Sequence, residues 1–238
     1  MPRNIVVTGG GTGIGRAVAA AFTAAGDHVV ITGRRQDVLE RTAKELGVEA
    51  IVCDHTDVDQ IAALAAAVDS VDVLVNNAGG NTEMTNDEPT DLAGLAAAWR
   101  RQLEANLLSA VLTTEALSDR LASGGAVVHI GSIAADKGAA GYGAAKAGLA
   151  SYNVGLAREL GPRGITSNVV SPGYIGDTEF FADRMTDARR TTLVEATFVG
   201  RAGAPEDIAG TVFYLASPGA RYVTGQTIAV NGGAWPSR

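Results

Sequence analysis

Short runs of β-branched and apolar residues alternate with longer alanine-rich segments from one end of the chain to the other. The short runs are Ile5–Thr8, Val29–Thr32, Ala50–Cys53, Val71–Val75, Ala126–Ile130, Thr166–Val170 and Thr227–Val230. Their hydrophobicity is nearly continuous instead of alternating, the pattern of parallel strands covered on both faces. Helical patterning fills the intervals near Gly15–Ala25, Asp37–Leu46, Val58–Val68, Leu92–Leu121, Tyr142–Leu160 and Pro205–Ala216. Pro205, followed by Glu206 and Asp207, marks a helix start: proline loses no intrahelical bond there, and carboxylates favour the positive end of the dipole. Strands alternating with helices predict a parallel sheet with right-handed crossovers. No repeat or Pro/Ser-rich linker interrupts the rhythm, so one domain spanning 1–238 is expected. The exception is a strandless, charged stretch at about 173–200 that gathers Phe180, Phe181 and Met185. It reads either as an amphipathic surface helix or as a lid over a substrate.

Composition narrows the function classes. A chain of 238 residues can bury roughly three-quarters of its unfolded surface in a single core. A hydrophobic fraction of 46% excludes wholesale disorder. The net charge is −7 and no basic run exceeds a pair, which argues against a nucleic-acid partner. The single cysteine, Cys53, lies in an apolar run and has no partner for an intramolecular disulfide, as suits a reducing interior. The opening Met-Pro-Arg-Asn-Ile-Val-Val reads as the start of a strand rather than a signal peptide. No apolar stretch approaches the ~20 residues needed to span a bilayer. These features predict a soluble, cytoplasmic protein with no membrane partner.

Chemistry enters at the end of the first strand, where Thr8-Gly9-Gly10-Gly11-Thr12-Gly13-Ile14-Gly15 leads into a helix. Glycines at this position permit a tight turn and let backbone N–H groups approach a pyrophosphate at the helix N-terminus. Glycines alone also suit an ordinary strand-to-helix turn; the order strand, glycines, helix points to a dinucleotide. At the end of the second strand, an NAD site usually carries an acid for the ribose 2′-hydroxyl. Here the run is Ile31-Thr32-Gly33-Arg34-Arg35. Arginines pair with a 2′-phosphate through charge-assisted bonds, so NADP(H) is the expected cofactor over NAD(H).

Tyr142 and Lys146 open a long alanine-rich helix four residues apart, which puts both side chains on one face. An ammonium near a phenol favours phenolate, drawing its pKa of about 10 toward operating pH. Such a tyrosine can donate a proton to an alkoxide or accept one from an alcohol. The spacing is common by itself. Its company is not: the glycine turn, Asn76-Asn77-Ala78-Gly79 after the fourth strand, Ser132 after the fifth, the Tyr142/Lys146 pair, and Pro172-Gly173 after the sixth occur in one order.

In that order of motifs the chain resembles the compact, single-domain branch of the short-chain dehydrogenase/reductase family, and the resemblance covers essentially its whole length. Tyr222-Val223-Thr224-Gly225-Gln226 and Val230-Asn231-Gly232-Gly233 look like that branch's closing strand. The resemblance implies a doubly wound, Rossmann-like three-layer α/β sandwich with a seven-stranded parallel sheet. It makes Tyr142 the general acid/base, with Lys146 on the nicotinamide ribose and lowering the tyrosine pKa. Ser132 would hydrogen-bond the substrate oxygen, and Asn106 would help to hold a proton-relay water. Gly9, Thr12, Gly13 and Ile14 would hold the pyrophosphate. Arg34 and Arg35 would sit at the 2′-phosphate, Asp54 and His55 at the adenine, and Asn77, Ala78 and Gly79 behind the cofactor. Pro172, Gly173, Ile175 and Thr178 would border the nicotinamide, Thr178 reaching its carboxamide. The family commonly pairs its long fourth and fifth helices across a two-fold axis, which implies a homotetramer or homodimer.

Three departures bear on these expectations. Ser132 and Tyr142 are ten residues apart, where the family usually has a longer interval; either the loop is tighter or the serine is displaced. The run from Pro172 to Thr178 carries one residue more than the commonest spacing. Asn231 stands where the family more often ends in aspartate. His28 and His129 read as structural histidines, and no histidine has metal-ligand spacing, so no catalytic metal is expected. The implied activity is interconversion of a ketone and a secondary alcohol, with a small carbonyl or alcohol substrate. A 3-oxoacyl thioester is the natural substrate guess: Arg163 matches one position for docking a carrier protein, while Ser123-Gly124 occupies the other. The alternatives are a non-catalytic dinucleotide-binding scaffold and a sugar-nucleotide epimerase, for whose substrate domain the chain has no room.

Overall fold

The computed structural model describes residues 2–82 and 89–236, with residues 182–184 described by their backbone alone. Seven parallel strands form one sheet: β1 (Asn4–Thr8), β2 (His28–Gly33), β3 (Glu49–Val52), β4 (Val71–Asn76), β5 (Leu121–Ile130), β6 (Thr166–Pro172) and β7 (Thr227–Val230). Their order is β3-β2-β1-β4-β5-β6-β7. It is the doubly wound arrangement expected from the sequence.

Nine α-helices connect the described strands: α1 (Gly13–Ala24), α2 (Gln36–Leu46), α3 (Val58–Ala67), α4 (Leu92–Leu103), α5 (Ser109–Leu117), α6 (Ala134–Lys137), α7 (Ala140–Leu160), α8 (Asp187–Glu195) and α9 (Pro205–Leu215). The segment expected as one helix over Leu92–Leu121 is divided. A π-helical turn, Glu104–Leu108, separates α4 from α5, and Ser118–Arg120 closes as a 3-10 turn. Leu121 belongs to β5, pairing with Val71 before a register shift carries the ladder on at Val73 and Ala126. Gly125 makes the shift possible, since a Cβ there would lie 2.6 Å from the Asp72 carbonyl oxygen.

Successive side chains of a strand point to opposite faces, and β1 shows the partition. Ile5 and Val7 join Phe22 of α1, Leu39 of α2 and Ile208 and Val212 of α9 in one buried cluster. Val6 joins Leu64 of α3, Leu117 of α5 and Leu156 and Leu160 of α7 in the other. Three layers result, and each fully buried large side chain in them contributes about 1.5–3 kcal/mol relative to exposure. Chain connections leave β1 and β4 in opposite directions, so their C-terminal ends flank the crevice in which open α/β sheets bind ligands. Among the described residues no helix is long and apolar enough to cross a membrane.

Candidate active site

The glycine turn fills one side of this crevice. Gly9 and Gly13 have φ of +64° and +52°, values that glycine adopts without steric cost. Gly15 packs so closely that a Cβ would lie 2.3 Å from the Gly9 carbonyl oxygen. The turn is stitched to the end of β4. Thr8 Oγ1 accepts from the N–H groups of Asn77 and Ala78 at 3.0 and 2.8 Å. Asn77 Nδ2 in return donates to the Thr8 and Gly9 carbonyls, both at 3.0 Å. Thr12 precedes α1 in an extended conformation and its side chain makes no capping bond, so the first N–H groups of α1 carry no side-chain cap. Ile14 is anchored against the core. A cleft of about 400 Å³ opens here, lined by Gly11, Thr12, Gly13, Arg16 and Arg41 among others. Uncapped amides and glycines without room for a side chain suit a pyrophosphate; Arg16 is paired with Glu45 at 3.1 Å, and Asp177, Glu179 and Glu206 also line the cleft.

At the next strand end, Arg34 and Arg35 project from the start of α2 and are exposed. Arg34 Nη1 lies 3.9 Å from Asp54 Oδ2, and Arg35 Nη2 donates to Glu179 Oε2 at 2.6 Å. The other Asp54 oxygen accepts from the Thr56 N–H and hydroxyl. His55 corrects its expectation. Its ring is buried, with Nε2 2.6 Å from Thr32 Oγ1 and Nδ1 2.7 Å from Thr113 Oγ1. Burial pushes its pKa down to about 4, against the pull of Asp54. The ring is a neutral tie between β2 and α5 and is not available to an adenine.

The second side of the crevice carries the proton chemistry. Tyr142 and Lys146 lie in the first turns of α7, and both are buried. Ser132, just beyond β5, is close enough to the Tyr142 phenol to draw its pKa downward, and its Oγ accepts from the Ala134 N–H at 3.1 Å. The ten-residue interval between Ser132 and Tyr142 is spanned by a tight connection. Its residues wind into α6, turn at Gly138 with φ +70°, and enter α7 through Ala140 at φ +41°. That last angle is left-handed backbone, strained for a residue with a side chain.

Lys146 Nζ donates to the Ile130 carbonyl at 2.8 Å and stands 5.8 Å from the centroid of the Tyr142 ring. Burial pushes the lysine pKa down to about 8. It also pushes the Tyr142 phenol up to about 12, a shift that Ser132 partly opposes.

Asn106 occupies the π-helical turn and clamps the loop after β4. Its Oδ1 accepts from the Gly80 N–H at 2.9 Å, and its Nδ2 donates to the Gly80 carbonyl at 2.9 Å and to Gln102 Oε1 at 3.0 Å. Gly79 passes so near that a Cβ would lie 2.8 Å from Asn106 Oδ1. Gln102, fully buried, donates in turn to Asn81 Oδ1 at 2.7 Å. Sequence reasoning missed Gln102, although its position one helical turn before Asn106 is the signal that could have found it.

The segment after β6 covers this centre. Pro172 closes β6, its carbonyl accepting from the Ile133 N–H at 3.1 Å, and Gly173 lets the chain pass within van der Waals contact of Asn231. Ile175 is buried in the core, so only its main chain can face a ligand. The additional residue before Thr178 is taken up by Asp177 at φ +53°, a conformation aspartate tolerates. Thr178 accordingly still reaches the glycine turn, where a Cβ on Gly13 would meet its Cγ2 at 3.4 Å. Phe180 then lies over Tyr142 with ring centroids 5.7 Å apart, and Phe181 packs on Phe180 at 4.9 Å and on Tyr174 at 5.4 Å. Asn231, the third departure, accepts from the Gly233 N–H and donates to the Trp235 carbonyl; an aspartate could not donate.

Comparison with known proteins agrees with this geometry. The family model described as enoyl-(acyl carrier protein) reductase matches residues 9–234. The 3-oxoacyl-(acyl-carrier-protein) reductase of Salmonella typhimurium is 35% identical over 246 residues, covering 97% of this chain and 96% of that protein. A short-chain dehydrogenase/reductase of Brucella melitensis, titled glucose/ribitol dehydrogenase, superposes with a TM-score of 0.86 at 32% identity, covering 99% and 97% of the two chains. A blue fluorescent protein from a metagenomic library, solved with NADPH, also superposes with a TM-score of 0.86 at 32% identity, covering 98% of each chain. The chain belongs to the short-chain dehydrogenase/reductase family and is an oxidoreductase similar to the 3-oxoacyl-(acyl-carrier-protein) reductases.

Proposed function

We propose that the protein interconverts a ketone and a secondary alcohol with NADP(H), using Tyr142 as general acid/base. The observation that carries this reading is the buried pair Tyr142 and Lys146 at the start of α7, with Lys146 Nζ 5.8 Å from the phenol ring, Ser132 near the phenol and the uncapped glycine turn across the crevice. A nicotinamide bound in the crevice supplies hydride chemistry. Gly9, Thr12, Gly13 and Ile14 hold its pyrophosphate, and Asn77, Ala78 and Gly79 form the wall behind it. Pro172, Gly173, the Ile175 main chain and Thr178 close the nicotinamide end. Arg34 and Arg35 read the 2′-phosphate, with Asp54 nearby. The Ser132 hydroxyl holds the substrate oxygen next to Tyr142 Oη, where the proton is given or taken. Lys146 carries positive charge beneath the phenol, and Asn106 positions the loop after β4.

Phe180 and its neighbours form a lid that excludes water from the phenol and gives the substrate pocket an aromatic roof. Two donors of Arg163 are engaged by the main-chain carbonyls of Ser118 and Leu121, which weakens its case as a carrier-docking cation. We therefore favour a free carbonyl or alcohol over a carrier-bound thioester. The scaffold alternative rests on the short Ser132–Tyr142 interval; the buried Tyr142 and Lys146 and the α6 turn between Ser132 and Tyr142 support the catalytic reading over it.

The test is turnover of a panel of ketones, including free and carrier-linked 3-oxoacyl thioesters, with NADPH and NADH in parallel. Oxidation of NADPH by at least one ketone supports the reading. No turnover with either cofactor across the panel rejects it.

A further inference from the structure

Three consecutive residues of the segment after β6 touch three different parts of the site. Thr178 lies against Gly13 of the glycine turn, Glu179 forms an ion pair with Arg35 at 2.6 Å, and Phe180 covers Tyr142. The ion pair joins positions 144 residues apart in sequence. Nothing in the fold requires it, since both side chains are more than half exposed and neither supports the core. It places a carboxylate on the arginine that the proposed function assigns to a 2′-phosphate.

We infer that Glu179 is a cofactor-specificity residue that competes with the 2′-phosphate for Arg35. The inference rests on the reading of Arg35 as a phosphate ligand. A phosphate monoester brings roughly −1.5 to −2 charges at neutral pH. On reaching Arg35 it must either displace the Glu179 carboxylate or bind beside it against like-charge repulsion. Both routes weaken binding of the phosphorylated cofactor, and neither affects the cofactor lacking that phosphate. Displacement has a second effect. Phe180 adjoins Glu179 in the chain, so release of Arg35 frees the residue that roofs Tyr142. Recognition at the adenosine end is in this way mechanically joined to opening of the substrate end.

Dissociation constants for NADPH and NADH, measured by fluorescence titration on the intact protein, test the inference. Glu179→Gln keeps a neutral hydrogen-bonding group and removes the charge. It should tighten NADPH relative to NADH by roughly two- to fivefold, the range an exposed ion pair supports. The same substitution in an Arg35→Ala background should leave that ratio unchanged. Glu206→Gln, in the same cleft but not paired with Arg35, controls for the general field and should move both cofactors alike. An unchanged ratio in Glu179→Gln, with NADPH weakened by Arg35→Ala, overturns the competition while leaving Arg35 as phosphate ligand. An unchanged ratio in Arg35→Ala alone overturns both. A ratio shifted as much by Glu206→Gln as by Glu179→Gln also overturns the competition.

Discussion

The ring of Phe180 lies 5.7 Å from that of Tyr142, inclined at 55°, and Tyr142 is buried. Burial pushes the phenol pKa up to about 12. At neutral pH the tyrosine is therefore protonated and able to donate.

Tyr142→Phe removes the proton and keeps the ring stacked on Phe180. We expect kcat to fall by at least about 10²-fold, the usual share of a positioned acid, with NADPH affinity unaltered. Steady-state kinetics and a cofactor titration on the same preparation check it; turnover at the parental rate would reject Tyr142 as the acid.

Lys146 makes function costly to stability. Its pKa is held down to about 8 by burial, so at neutral pH a charged ammonium sits inside, donating to the Ile130 carbonyl. Lys146→Met should raise the free energy of unfolding by on the order of 1–2 kcal/mol while abolishing turnover. The sign with pH follows from proton uptake. Between pH 8 and the ordinary lysine range the unfolded chain binds a proton that the folded one has released, so this group makes stability rise with pH there. The methionine variant should lose that rise, and denaturant melts at several pH values measure it.

Asn106→Ala should cost about 2–4 kcal/mol, because it removes two hydrogen bonds to the Gly80 main chain and one to Gln102 Oε1. The cost should fall on the loop after β4 before it reaches the sheet. Hydrogen exchange would show Gly80 and its neighbours deprotected while β4 stays slow. Uniform deprotection would mean that the clamp is global.

Leu92, Trp99, Leu108 and Val154 are exposed on α4, the π-helical turn and α7. Exposed apolar side chains of this size suit an interface between copies of the chain. We expect a tetramer in sedimentation, reduced to smaller species by Trp99→Asp. A monomer at micromolar concentration would refute the expectation.

Strand positions were legible in the sequence because a strand covered on both faces must be apolar throughout, and all seven runs formed. The glycine turn was legible because close approach of the backbone demands glycine, and the burial of Tyr142 and Lys146 on one helix was legible from their spacing. Three features were not. The π-helical turn is a slip in backbone hydrogen bonding between residues that all favour helix, so Glu104–Leu108 carries no distinctive pattern. His55 follows a strand as an adenine contact would, and only the packing of Thr32 and Thr113 turns it inward. Glu179 and Arg35 meet through a fold-wide excursion of the chain, and no local signal could join them.

The π-helical turn also separates the length of its segment from the direction of its faces. A helix advances about 100° per residue, and an i→i+5 turn accommodates one residue beyond the regular ladder. Ahead of it Gln102 faces the loop after β4, and within it Asn106 does the same; behind it, Thr113 and Leu117 face inward. One added residue in an unbroken helix would turn everything after it by about 100°, and Leu117 would leave the core. The widened turn absorbs that residue where it stands, so Asn106 gains its place over the loop and the buried face behind it keeps its direction.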